Sequence, residues 1–338
     1  MKRIIHVLGF PQCFVFIITI ILFTACEERT DYDLLDPAMT GYWEEINTND
    51  GLAGNSIRDI KQDSRGNLWA ACYGNGVSMY NGSTWTTYNT SNSGILSDYI
   101  TCIEEDHNGD MWFGTNNGIS FLTDGTSWSY FQDTETAYYI NTIKRDNQGW
   151  VWVGTDGQGY MYYDGTSLYL STPNEYAELD VIYTIEEDKS GNIWLGTDLG
   201  ILIWDRSGWS WQSVESSLGS NRIWSLFCDS KGNMWIGARG GEFTGYSKDM
   251  TVYPVPLFNG DLPAYIKDIF EDKKGDIWFA TWFDGLIRYN GVYCEAFKEY
   301  NGFPENDVQT LAEDKDGNIW AGTYSEGLAK YSLPLTIK

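Results

Sequence analysis

Histidine is nearly missing from this chain. Only His6 and His107 occur in 338 residues, and His6 falls in an apolar N-terminal run. A histidine base, a Ser-His-Asp triad or a histidine-rich metal cluster therefore has almost nothing to be built from. Basic charge is short as well: 22 Lys plus Arg face 47 acids, for a formal net charge of −25. Such a field repels phosphate backbones and argues against nucleic acid as a partner. Paired cysteine spacings are also lacking. Of six cysteines, Cys72, Cys102, Cys228 and Cys294 are scattered singly, a pattern read as buried free thiols, with Cys72 and Cys102 as the one pair that leaves a bridge open.

What is present begins at the N-terminus. Met1-Lys2-Arg3 precedes an apolar run to Phe23, broken by His6, Pro11 and Gln12, and then Thr24-Ala25-Cys26. A charged start, an apolar stretch and small residues before a cut site form a secretory signal over residues 1–25. The competing reading is an uncleaved membrane anchor, because the run approaches the roughly 20 residues that span a bilayer. The Thr-Ala-Cys ending resembles the bacterial lipoprotein box, with Phe23 where that box prefers Leu. The resemblance implies lipidation at Cys26, so the chain is expected to be exported and held at the outer membrane by lipid alone. Residues 26–40, with Glu27, Glu28, Asp31, Asp33 and Asp36, read as an acidic tether. In Bacteroidetes-like lipoproteins such acids resemble a signal for surface display.

One motif then recurs seven times. It is Asp, two or three residues, Gly, a polar residue, an aliphatic, Trp, one residue, then Gly or Ala. The copies are residues 63–71 (DSRGNLWAA), 106–114 (DHNGDMWFG), 146–154 (DNQGWVWVG), 188–196 (DKSGNIWLG), 229–237 (DSKGNMWIG), 272–280 (DKKGDIWFA) and 314–322 (DKDGNIWAG). Their tryptophans, Trp69, Trp112, Trp152, Trp194, Trp235, Trp278 and Trp320, are spaced by 43, 40, 42, 41, 43 and 42 residues. Each unit holds four short strand patterns: an Ile-x-x-Ile stretch, the Trp stretch, a stretch ending in Tyr and a stretch often led by Trp. The Asp and Gly between the first two make a tight turn, Asp by bonding backbone amides and Gly by accepting positive φ. Four strands per 40 residues is the signature of a propeller blade. The expected fold over residues 41–338 is thus an all-β, seven-bladed β-propeller with four antiparallel strands per blade. The seventh unit lacks a Trp-led fourth strand, while the segment from Trp43 matches that from Trp85. The N-terminal strand is therefore expected to close the last blade.

The repeat Asp-x-x-Gly-Asn-hydrophobic-Trp-x-Gly-Thr, followed by Gly-Leu and Tyr, resembles the two-component regulator propeller repeat of periplasmic sensor regions in Bacteroides hybrid histidine kinases. The resemblance covers residues 41–331. It implies a ligand-sensing or carbohydrate-recognising propeller outside the cytoplasm. Typical members continue into further blades, a β-sandwich, a membrane helix and kinase domains. None follows Tyr331 in this sequence, so a stand-alone propeller that does not itself phosphorylate is expected.

The Asp-x-x-Gly turns partly match calcium loops. Their Asp and Gly recur in every unit while further oxygen ligands do not, so they read as structural, with no metal and no cofactor expected. The informative positions are those that vary on a constant scaffold. Loops between the second and third strands gather at one face around the axis. They hold Tyr73, Asn117, Asp156, Arg239, Trp282, Phe283 and Tyr324. Beside them, the residue after the first Ile of each inner strand, or after Val308 in the last, changes freely: Arg58, Thr101, Asn141, Tyr183, Trp224, Lys267 and Gln309. Aromatic faces stack on sugar rings, while Arg, Lys, Asn and Gln bond hydroxyls or acidic sugars. The candidate ligand-binding residues are Tyr73, Arg239, Trp282, Tyr324, Trp224, Tyr183, Lys267 and Arg58, the first four as the leading group. The bland alternative is that Tyr183 and Trp224 only fill the core. The fifth unit departs from the repeat at residues 237–243 (GARGGEF). The expectation is a non-catalytic binder of glycan or polysaccharide fragments. The alternatives are a protein-interaction platform in an envelope complex or, further off, a propeller lyase or glycosidase marked by clustered carboxylates in the central pocket.

Overall fold

The computed structural model describes residues 42–132, 138–171, 180–213, 220–239, 244–246, 252–253, 265–292 and 294–332. The leader, Cys26, the tether, the unusual residues 240–243 and the C-terminal residues 333–338 lie outside them. Among the described residues no helix is long and apolar enough to cross a membrane.

Each copy of the motif lies in its own four-stranded sheet, seven sheets in all. The first strand of each unit forms one edge of its sheet. These edge strands are Ile57–Gln62, Ile100–Glu105, Ile140–Arg145, Ile182–Glu187, Ile223–Cys228, Ile266–Glu271 and Val308–Glu313. Each packs on the edge strand of the next sheet, and Val308–Glu313 packs back on Ile57–Gln62, so the seven line a central axis. In the seventh sheet the outer position is taken by Tyr42–Ile46, antiparallel to Leu328–Ser332 with Trp43 opposite Tyr331. Trp43 packs edge-on against Phe297 and Phe303 of the sixth unit, at 5.5 and 4.7 Å between centroids.

A four-stranded sheet cannot cover its own two faces, and the packing shows where each face goes. Trp69 sits in one apolar cluster with Ile100, Ile103 and Phe113 of the second blade. Trp112 joins Ile140, Ile143 and Val153 of the third, and the pattern runs on until Trp320 joins Ile57, Ile60 and Leu68 of the first. Losing a ring buried this way costs about 3–5 kcal/mol, so the tryptophans hold blade to blade. The Gly or Ala two residues after each Trp has the same cause. A Cβ on Gly154 would stand 2.7 Å from Ile182 Cγ2 of the next blade and 2.7 Å from Thr142 Cγ2, closer than atoms pack, so the space there admits nothing larger than the smallest residues.

The recurrent Asp is a pin. Asp146 Oδ1 accepts from the backbone N–H groups of Gln148 and Trp150, and Oδ2 accepts from Trp152 Nε1 at 3.0 Å. The first, fourth, fifth, sixth and seventh blades repeat the indole bond. With both oxygens engaged by the turn and the indole, these turns are structural. Neighbouring turns are clamped as well: Glu105, at the end of the second blade's inner strand, accepts from Ser64 N and Oγ in the first blade's turn. Glu271 grips Ser230 in the same way. Among the described residues Cys72, Cys102, Cys228 and Cys294 form no disulfide, and Cys228 is only half-buried.

Candidate functional site

The inner strands carry a shared irregularity. Pairing with the second strand shifts by one residue between Ile100 and Cys102, Ile140 and Thr142, Ile182 and Thr184, Ile223 and Ser225, Ile266 and Asp268, and Val308 and Thr310. In the first blade the shift falls between Ile57 and Ile60. A bulge frees one residue from the ladder and re-aims its side chain. The freed residues are the ones that vary: Arg58, Thr101, Asn141, Tyr183, Trp224, Lys267 and Gln309. All seven, with Tyr139, line one cavity of about 290 Å³ at the axis.

Charge is held there by aromatic rings. The Arg58 guanidinium lies 4.8 Å from the Tyr73 ring centroid and 5.7 Å from that of Tyr324, and its Nη1 donates to Gln309 Oε1 at 3.2 Å. Lys267 Nζ lies 4.1 Å from the Trp224 ring, which Arg239 also approaches at 5.2 Å. Trp224, Tyr265 and Trp282 pack together with centroids 5.7–6.1 Å apart, and Phe283 stacks on Trp282 at 5.0 Å. Burial pushes the Lys267 ammonium down to about 8, with Arg58 and Arg239 adding repulsion and Asp307 opposing them. Asp307 in turn accepts from the Gln309 amide and the Trp282 indole.

The rim opposite is acidic. Asp156 and Asp180 approach one another at the junction of the third and fourth blades. Burial, then the nearby Asp180 and Asp156, holds the Asp198 carboxyl above its ordinary range. Burial raises the Tyr183 phenol beside it, with Asp198 as the leading charge. On the side of the second blade, where Thr101 is small, Tyr139 reaches over to hydrogen-bond Tyr73, and burial raises its hydroxyl well above the usual phenol range.

Of the eight residues singled out from sequence, Arg58, Tyr183, Trp224 and Lys267 line the cavity. Tyr73, Arg239, Trp282 and Tyr324 are not among the lining residues and stand against them. Tyr73 and Tyr324 face Arg58, while Arg239 and Trp282 meet Trp224. Arg239 and Tyr324 are exposed, and the rings of Tyr73, Tyr324 and Trp224 each carry a cation. Tyr139 was missed, since it precedes the first Ile of its strand rather than following it. Among the described residues no carboxylate lines the cavity.

Below the cavity, Asp59 and Asp268 are raised to about 7 and about 6, burial being the main cause for each. Asp59 accepts from Ile60 N and from Ile103 N of the second blade. Asp268 does the same with Ile269 N and with Leu311 N of the seventh. Both carboxylates thus staple adjoining blades. His107 lies in the second blade's turn, its ring 3.4 Å from the Cβ position of Gly149, away from the cavity. A further cavity of about 250 Å³ lies between the fifth and sixth blades, beside Asp229, Trp235, Glu271 and Tyr289. The corresponding groove between the third and fourth blades is filled by Arg206, which reaches Asp146 and Glu187 at 3.1 Å each.

Comparison with known proteins places these features in context. The two component regulator propeller matches the chain at residues 51–74, 94–117, 134–157, 178–198, 217–240, 260–283 and 302–325. The chain resembles the extracellular domain of a hybrid two component system from B. thetaiotaomicron, at 21% identity and a TM-score of 0.72 over 86% of this chain and 42% of that one. It spans less than half the length of that sensor domain. It also resembles PorZ, a surface component of the type-IX secretion system of Porphyromonas gingivalis, at 20% identity and 0.67 over 83% of this chain and 47% of that one. A virginiamycin B lyase from Staphylococcus aureus matches at 16% identity and 0.68 over 87% of this chain and 99% of that one. At these identities the likeness is one of fold. No curated protein matches the chain.

Proposed function

We propose that this chain, which belongs to the two component regulator propeller family, is an exported, non-catalytic module that binds glycan or polysaccharide fragments in its axial cavity. One observation carries the reading. One position carries a different side chain in each of the seven units, and all seven converge on a single cavity. Variation of this kind on a repeated core points to specialisation at the axis. The enzyme alternative is weakened by the cavity's own chemistry, since among the described residues no carboxylate and no histidine lines it for acid–base work. Export and lipid anchoring through Cys26 are part of the same proposal, supported by the leader pattern. So is a latch role for Tyr42–Ile46, supported by its pairing with Leu328–Ser332.

The test is calorimetry against a glycan panel, with Trp282→Ala and Tyr324→Ala beside the parent chain. Each variant removes a ring that seats a cavity cation and is expected to weaken binding about tenfold, near the upper end of a cation–π contact. Unchanged binding in both sinks the site.

A further inference from the structure

We propose that the ligand of the axial cavity is an anionic saccharide, a sugar chain bearing uronic acid carboxylates, gripped by Arg58 and Lys267. This rests on reading the cavity as a saccharide site and adds the ligand's charge and the residues that read it.

The chain has more than two acids for every base, yet the cavity wall reverses that ratio, with two cations and no acid among eight residues. Each cation nearby is seated on a ring where a carboxylate would ordinarily stand: Arg58 on Tyr73 and Tyr324, Lys267 and Arg239 on Trp224. A ring face holds a cation in place without neutralising it. Asp307 is the acid that counters Lys267, and it already accepts from Gln309 and Trp282. The Arg58 fork meets only the neutral Gln309 through Nη1, and its Nε is buried with no partner among the described residues. A planar guanidinium of this kind is matched by a carboxylate.

The rest of the wall is neutral and polar, with Thr101, Asn141, Gln309 and the phenols of Tyr139 and Tyr183. A uronate answers both, with a carboxylate for the cations and hydroxyls for the neutral polar groups. A neutral sugar lacks the first group and an inorganic anion lacks the second.

The test uses calorimetry on the mature chain with trigalacturonate, maltotriose and sodium sulfate at matched ionic strength. Arg58→Gln, Lys267→Gln and the charge-keeping Lys267→Arg are compared with the parent, and thermal melts establish that each is folded. Trigalacturonate is expected to bind at least tenfold tighter than maltotriose, as charge-assisted contacts imply. Either neutralising change is expected to erase that preference, and Lys267→Arg to keep it. Affinity should also weaken from pH 7 to 9. Lys267, faced by Arg58, Arg239 and Asp307, is held near 8 and gives up its proton over that range. Equal binding of maltotriose and trigalacturonate, or a preference untouched by both neutralising changes, overturns the anionic inference and leaves the saccharide site standing. Sulfate binding as tightly as trigalacturonate overturns the claim that a sugar is read. Failure of every saccharide to bind overturns both.

Discussion

The seven inner strands present charge in two ways, and the two ends of one short stretch can be compared directly. Toward the turn side, charges are matched. Lys61 pairs with Glu104 at 2.7 Å, and Lys144 pairs with Glu186 at 2.6 Å, each pair crossing from one blade to the next. Asp59 and Asp268 take backbone N–H groups from two blades apiece. Three residues away, at the mouth, Arg58 and Lys267 lean on rings instead. Matched charges across blades hold the ring together, while unmatched ones leave interaction energy for something from outside. The repeat therefore keeps structure and recognition apart within six residues of strand.

That division can be broken by experiment. The largest effect is expected at the matched end. Lys144→Met strands Glu186 beside Glu104 and Asp268 and should cost on the order of 3 kcal/mol in a denaturant or thermal melt, with ligand affinity unchanged. A loss of binding without a loss of stability would mean that the two ends are not separate.

The second effect is a pH dependence of opposite sign to that of an ordinary carboxylate. Asp59 and Asp268 are raised to about 7 and about 6, so the folded chain holds protons that the unfolded chain has released above pH 4. Their contribution is favourable at low pH and is lost as pH rises through 6 and 7. Asp59→Asn removes the dependence at one site. Its melting temperature relative to the parent should climb from pH 5 to pH 8, and a constant difference between the two would refute the assignment.

The smallest effect belongs to the mouth. Lys267→Gln removes a cation that burial already opposes, so stability should stay within about 0.5 kcal/mol of the parent. A loss comparable to that of Lys144→Met would make Lys267 a structural group.

The ring was legible in the sequence because its physics is local and repeated. Trp152, Gly154 and Asp146 make contacts that recur from unit to unit, so nearly the same letters recur at a fixed spacing. The axial positions were legible for the opposite reason, as variation at Asn141, Tyr183 and their equivalents stood out against the constant Ile before them. What could not be read was partnership around the ring. Arg58 meets Tyr324 from the seventh blade, and Lys267 meets Trp224 from the fifth, contacts set by closure over long stretches of chain. For this reason the cations that these aromatics seat could not be named from sequence. Tyr139 escaped notice because it stands before the first Ile of its strand and meets Tyr73 of the first blade only across the ring.

The bulge in each inner strand has a consequence for how such a protein changes over generations. A residue squeezed out of the ladder contributes no paired backbone and little core, so exchanging its side chain leaves the blade's folding almost untouched. Seven such positions face one another, each carried by a unit that can be duplicated or traded whole. The propeller is in this respect a dial with seven settings, and a new specificity needs only a few of them turned.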